Sequence, residues 1–387
     1  MSGVQTSPRR DGGVEERSAF IHQEIVKLSL LVVLAIVAFF VTRAIAENNR
    51  TTMRRDAAEW YGRGQRALSG GDAASAVDAF RRASVMKRGD RQYELALARS
   101  LVATQQIDAA RSALLALRES EPEDPEMNLE LARIDARRRD VTNAVRYYHN
   151  ALYAPWPADA TDARRKVRVE LIRFLLAYGQ SARAESELVA LAADLPDDLA
   201  SHLEVGDLFT SVGNHRRALD QFQAALRLAP QHGAALSGAG LAAFEVGDYP
   251  LAQRYLREVP SPGRNVTDTL ALVDLVLSQD PLAARIGSSA RRGRLAAALS
   301  HMEQHLTSCN TSPAGAAPLT RFPNLLDQAQ QLSSELIRTP VLENDTIENT
   351  LALIDRGVRA VTNACPPADM LDRALLLIVE RHGVSSQ

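Results

Sequence analysis

The longest run of the chain without a charged residue lies near its start: Leu28 to Thr42, LSLLVVLAIVAFFVT. With its flanks, Ile25 to Ala46 makes 22 residues, enough to cross a hydrocarbon core of about 30 Å at about 1.5 Å per residue. A core helix of a globular domain is rarely apolar on every face, so the pattern predicts a transmembrane anchor over 25–46, with Lys27 and Arg43 placed to reach the two interfaces. Ala44-Ile45-Ala46 fits the small-x-small pattern of a cleavable signal. The polar segment ahead of the apolar core is 27 residues long and carries four acids, however, which favours an uncleaved anchor. Residues 1–24 are expected to form a polar, disordered tail.

Beyond residue 57 the pattern changes to amphipathic helical segments that repeat every 34 residues. Six units are legible, 57–90, 91–124, 125–158, 165–198, 199–232 and 233–260, with a single insertion at 159–164. The twentieth place is alanine in all of them: Ala76, Ala110, Ala144, Ala184, Ala218 and Ala252. The eighth place is small in five (Gly64, Ala98, Ala132, Gly206, Gly240) and Ile172 in the fourth unit; the twenty-fourth is large throughout (Phe80, Leu114, Tyr148, Leu188, Phe222, Leu256). Small residues at fixed places let helices approach, and a large one fills the groove between them. Gly71, Gly213 and Gly247 mark turns inside units, and Pro122, Pro196 and Pro230 stop second helices. A displaced or kinked first helix is expected in the fourth unit, after Pro155-Trp156-Pro157.

These residues at this period resemble the tetratricopeptide repeat family, and the resemblance covers about 57 to 260. It implies an all-α, right-handed solenoid of helical hairpins whose first helices line a concave groove. On that resemblance the groove residues are Tyr61 and Gln65, Gln92 and Arg99, Arg133 and Arg137, Lys166 and Arg173, and Asp207. Arginine stands at the ninth place in three successive units, so a row of Arg99, Arg133 and Arg173 is expected to bind an acidic or extended peptide through guanidinium hydrogen bonds. The asparagines of the family's chaperone-binding carboxylate clamp are missing from their places.

After Pro260 the period fades, but helical patterns continue at 266–279, 291–308, 323–337, 347–363 and 368–382, with a loop at 310–321. Residues 261–387 are expected to cap the solenoid or form a small helical domain.

Composition agrees with the pattern. Hydrophobic residues make up 46% of the chain and aromatics only 5%, an interior of Ala and Leu rather than of strand formers. A net charge of −2 supplies no field for nucleic acid. Cys309 and Cys365 either form a disulfide in an oxidising compartment or remain two thiols. Basic residues flank the anchor almost equally, so the positive-inside rule does not choose a side. The cysteine pair and the Ala-x-Ala remnant lean towards an exported, periplasmic or extracytoplasmic, repeat domain.

Catalytic motifs fail on context. Gly238-Ala-Gly240 imitates a dinucleotide loop without a strand before it, and Arg381-His382-Gly383 imitates a phosphatase motif at a helix end. The eight histidines show no zinc-protease frame. No catalytic residue, cofactor, metal or small-molecule substrate is therefore expected. The sequence points to a membrane-anchored scaffold that holds a protein or extended peptide, in envelope assembly, secretion or quality control. The alternative is an enzyme sited in the C-terminal helices, using residues such as Asp268, Asp274, His301, His305 and Asp355.

Overall fold

The computed structural model describes residues 12–311, 323–339, 341–365 and 368–383, and among them the chain is all helix, with no strand. It divides into two compact units, residues 1–168 and 169–387. The first holds α1 (Gly12–Ser69), α2 (Ala73–Met86), α3 (Arg91–Ala103), α4 (Ile107–Arg118), α5 (Pro125–Arg137) and α6 (Val141–Tyr153). The division falls within α7 (Thr161–Ala177). The second holds α8 (Ser181–Ala192), α9 (Leu199–Ser211), α10 (His215–Leu228), α11 (Gly233–Glu245), α12 (Tyr249–Arg257), α13 (Arg264–Gln279), α14 (Ser288–Thr311), α15 (Pro323–Arg338), α16 (Asn344–Ala364) and α17 (Met370–Arg381).

The apolar segment and the first helix of the first hairpin are one helix, α1, of 58 residues. Its apolar stretch packs on nothing: Leu28 is 67% exposed, Leu34 64% and Phe39 62%. That separates it from a buried core helix and leaves it a candidate membrane span, with a window of mean hydropathy 2.6. The helix begins at Gly12, inside the stretch expected to be disordered. No proline or glycine stands between Val14 and Gly62, and extending an existing helix fixes one hydrogen bond per residue without a new nucleus. Residues 1–11 lie outside the described ones.

Hairpins follow with the period of the sequence. The six alanines at the twentieth place are all 0% exposed. Opposite them, small and large residues complement one another. A Cβ at Gly64 would stand 2.5 Å from the Phe80 ring, and one at Gly206 would stand 2.7 Å from Phe222. Phe222 is enclosed from its other side too, since a Cβ at Gly238 would meet the same ring at 2.6 Å. The pair of glycines that imitates a dinucleotide loop is therefore packing surface, with Gly240 seated against Leu256. In the fourth repeat the larger Ile172 is fully buried, and the twenty-fourth place there is Leu188 rather than an aromatic ring.

Local chemistry ends and starts the helices in register. The residue before each second helix's cap has a positive φ in all six repeats: Gly71 82°, Gln105 63°, Arg139 61°, Gly179 67°, Gly213 79° and Gly247 78°. Asp72, Asp140, Asn214 and Asp248 then accept the backbone N–H three residues on, as do Asp90, Asp124 and Asp198 before first helices. The insertion at 159–164 leaves the first helix of the fourth repeat uninterrupted. It is absorbed by an early start of α7 at Thr161, after the Trp156 indole N–H has donated to the Ala151 carbonyl.

In the second unit α13 packs on α11 and α12, continuing the stack, and α17 packs on α13. The motif Arg381-His382-Gly383 fastens that contact: His382 and Arg381 both reach the buried Asp280 at the end of α13, at 2.9 Å and 3.5 Å, and Gly383 turns the chain at φ 67°. Helices α14, α15 and α16 pack on one another, and α16 on α17. The loop expected at 310–321 lies mostly outside the described residues, since α14 runs to Thr311 and 312–322 are not described.

Gly206→Ala tests the close packing. In an open helix the change stabilises by about 1 kcal/mol; against the Phe222 ring, overpacking costs about 1–3 kcal/mol. The variant should therefore melt below the wild type, and adding Phe222→Leu should recover much of the loss. Thermal denaturation followed by circular dichroism decides it, and a Gly206→Ala protein more stable than wild type would sink the idea.

Candidate functional site

The first helices of successive repeats in the first unit, α1, α3 and α5, carry the groove residues expected there. Tyr61 on α1 packs its ring 5.4 Å from Phe80 and 5.1 Å from Tyr93, and its hydroxyl accepts a 3.1 Å hydrogen bond from Gln92. Gln65 is exposed on the next turn. These residues form one aromatic-polar patch across the α1–α3 step.

The arginines are not an open cationic row. Arg99 on α3 donates from Nε to Glu130 on α5 at 2.8 Å and lies 3.3 Å from Glu126. Arg133 on α5 shares Glu130 at 3.2 Å. Arg91 reaches Asp124 and Glu126, so the α3–α5 step is crossed by a mixed-charge network. In the second unit Arg173 donates to Glu204 on α9 at 2.7 Å. Both Arg99–Glu130 and Arg173–Glu204 are separated by 31 positions: arginine at the ninth place of one repeat pairs with glutamate at the sixth place of the next. The glutamates were the signal missed in the sequence, where Glu130, Glu170 and Glu204 stand at the sixth place of three successive units.

Arg137 and Lys166 are exposed on α5 and α7. Asp207 stands at the ninth place of the fifth repeat, where the second, third and fourth repeats carry arginine. It is exposed in area, yet the protein packed around it desolvates its carboxyl enough to raise its pKa above the ordinary carboxylate value. Among the described residues no basic group pairs with it.

Of the residues considered for an enzyme, Asp274 accepts hydrogen bonds from Gln253 and Arg257, and Asp355 from Arg359, as structural groups do. His301 and His305 come together with Asp369 and Asp372, two acids the sequence did not single out. Cys309 and Cys365 are joined in a disulfide that ties the end of α14 to the end of α16 across 56 positions.

With this geometry in view, the comparisons with known proteins can be placed. The tetratricopeptide repeat family model matches residues 95–160 and 203–264, so such repeats are present in each compact unit. The first and fourth repeats lie outside the matched stretches. A comparison with curated protein sequences finds no match. Similar solved structures include YrrB, described as a tetratricopeptide repeat protein with an unusual peptide-binding site: 18% identity, TM-score 0.39, covering 49% of this chain and 96% of that one. Another is the C-terminal part of a repeat protein from Cytophaga hutchinsonii, at 14% identity and TM-score 0.41, covering 74% and 97%. A third is a tetratricopeptide repeat protein from Parabacteroides merdae, at 11% and 0.39, covering 72% and 99%.

The disulfide closes a loop long enough that removing it should cost about 4 kcal/mol of unfolding free energy on the chain-entropy account. Denaturant titration of the detergent-solubilised protein with and without reductant measures this. The reduced protein should unfold at lower denaturant, whereas Cys309→Ser/Cys365→Ser should be insensitive to reductant.

Proposed function

We propose that the chain is a membrane-anchored scaffold whose first helices hold an extended segment of a partner protein. The observation that carries this reading is the ion pair repeated between neighbouring first helices, Arg99 with Glu130 and Arg173 with Glu204. At the surface this leaves guanidinium N–H groups beside carboxylates, Glu126 next to Arg99 and Glu204 next to Arg173, while Glu130 itself is largely buried beneath Arg99. A peptide backbone offers carbonyls and N–H groups in alternation and matches such a surface. A strongly acidic peptide does not, because every arginine it approaches brings a glutamate with it. In the second unit Asp207, on the same helix as Glu204, adds a partly desolvated carboxyl, suited to a Lys or Arg of a bound segment. A mixed-charge, extended segment is therefore favoured over the acidic ligand that the arginine row alone suggests.

The anchor reading rests on the exposed apolar stretch of α1, and the exported side on the disulfide, which persists in oxidising compartments. Tethering raises the local concentration of the groove at a membrane, as an adaptor in envelope assembly, secretion or quality control requires.

Two experiments test the two halves. Pull-down from solubilised membranes with mass spectrometry should compare the wild type with Arg99→Gln/Arg133→Gln/Arg173→Gln, which removes the guanidinium charge and its fork of donors without placing acid beside acid. Partners should be recovered about tenfold less with the variant at unchanged circular dichroism, and equal recovery would overturn the groove reading. Separately, alkaline carbonate should leave the full chain in the membrane pellet. Its appearance in the supernatant would overturn the anchor.

A further inference from the structure

We infer that His301, His305, Asp369 and Asp372 form a binding site for a zinc-type divalent transition-metal ion, fastening the start of α17 to α14. One ligand atom from each of the four side chains lies within 4.8 Å of the others. Asp372 is buried, His301 and His305 are half-buried, and Asp369 is exposed, so the cluster opens to solvent on one side only.

The spacing fits the ion. Zinc binds nitrogen and oxygen at about 2.0–2.1 Å in a tetrahedron, so its ligand atoms sit about 3.3 Å apart along each edge. Imidazole nitrogens lie at that distance from the carboxylates: His301 Nε2 is 3.1 Å from Asp372 Oδ1 and 3.5 Å from Asp369 Oδ1, and His305 stands 3.0 Å from Asp372 Oδ2 through Nδ1 and 3.3 Å from Asp369 Oδ2 through Nε2, one of these two nitrogens serving as its ligand. His305 turns both ring nitrogens to carboxylate oxygens, and a neutral imidazole has one N–H, so the neutral ring leaves one nitrogen facing an oxygen as acceptor against acceptor. A proton on His305 removes that conflict, and so does a metal ion shared by the four groups. The ion also neutralises two carboxylates held side by side, a larger charge than the half unit of opposite sign that the α17 N-terminus contributes.

The ligands are held in place by their surroundings. Each carboxylate accepts a backbone N–H of the capping box: Asp369 Oδ1 from Asp372 at 2.7 Å, and Asp372 Oδ2 from Asp369 at 3.3 Å. Such second contacts orient metal ligands. Residues 301, 305 and 309 recur every fourth position on one stripe of α14, and the disulfide ties Cys309 on that stripe to Cys365, which precedes Asp369 by four positions. Gly357 on α16 supports the approach, since a Cβ there would collide with Met302 of α14. Four protein donors fill a tetrahedron and leave no position for a substrate, so the site is structural in type. Two imidazoles with two carboxylates form a donor set for zinc rather than for calcium or magnesium, which take oxygen ligands.

The test uses the full-length, tag-free protein in mild detergent, with thiol titration verifying that both cysteines are oxidised and offer no ligand. After equilibrium dialysis against zinc chloride, metal analysis should find one zinc per chain, and cobalt chloride should give the intense visible absorption of a tetrahedral site. His305→Gln and Asp369→Asn should each weaken zinc binding at least about tenfold. Asparagine caps a helix as well as aspartate, so the second variant keeps α17 and loses only the anionic ligand; circular dichroism checks both. Retention of no more zinc by the wild type than by His301→Gln/His305→Gln, or equal retention by the wild type and both folded single variants, overturns the proposal.

Discussion

The constraint on which the repeats depend is the fit of one large side chain per hairpin into a notch where the facing helix has almost none. Phe80 over Gly64 and Phe222 between Gly206 and Gly238 are the tightest cases. A buried ring contributes about 1.5–3 kcal/mol through its removal from water, but only if the helices approach until no void remains. The invariant alanine at the twentieth place permits that approach, and its complete burial in all six repeats shows that the space is used. The exception is the fourth repeat, where the eighth place is the fully buried Ile172 and the twenty-fourth is Leu188.

Close approach of the helices also shapes the groove electrostatically. Once α3 and α5 are held at packing distance, an arginine at the ninth place of one and a glutamate at the sixth place of the next come within hydrogen-bond reach. The exposed Arg173–Glu204 pair contributes little to stability, about 0–1 kcal/mol, whereas Glu130 is largely buried and is held by both Arg99 and Arg133. The effect of these pairs is on recognition: they convert what reads in sequence as a basic stripe into a surface of alternating sign. The same packing that makes the solenoid thus sets the chemistry of the segment proposed to bind there.

Much of the fold was legible because its determinants are local or periodic. The positions of helices α13 to α17 follow from apolar spacing, and the six hairpins from alanine every 34 residues apart from one insertion. What was not legible required geometry across helices. Gln105 and Arg139 adopt the left-handed turn that glycine marks in the other repeats; their side chains give no hint of it, and only the repeat register forces the conformation at a cost of about 1–2 kcal/mol each. Likewise His301 and His305 are plain in the sequence as neighbours four apart. Asp369 and Asp372 are separated from them by more than sixty positions, across a segment closed by the disulfide, and no local pattern ties the two pairs together.

The continuity of α1 carries a last consequence. A tether of glycine and serine would let the repeats wander from the membrane as a random coil. Here residues 47–56, polar and exposed, continue the helix from the apolar stretch into the first hairpin, a rise of about 15 Å. Trp60 and Tyr61 on the same helix pack into the first hairpin's core with Ala57, Ala83 and Tyr93. A rotation of the apolar stretch about its axis is therefore transmitted to the first aromatic-polar patch of the groove with no flexible joint between them. On the membrane-anchor reading proposed above, α1 would set the height and facing of the first repeats, as well as their local concentration.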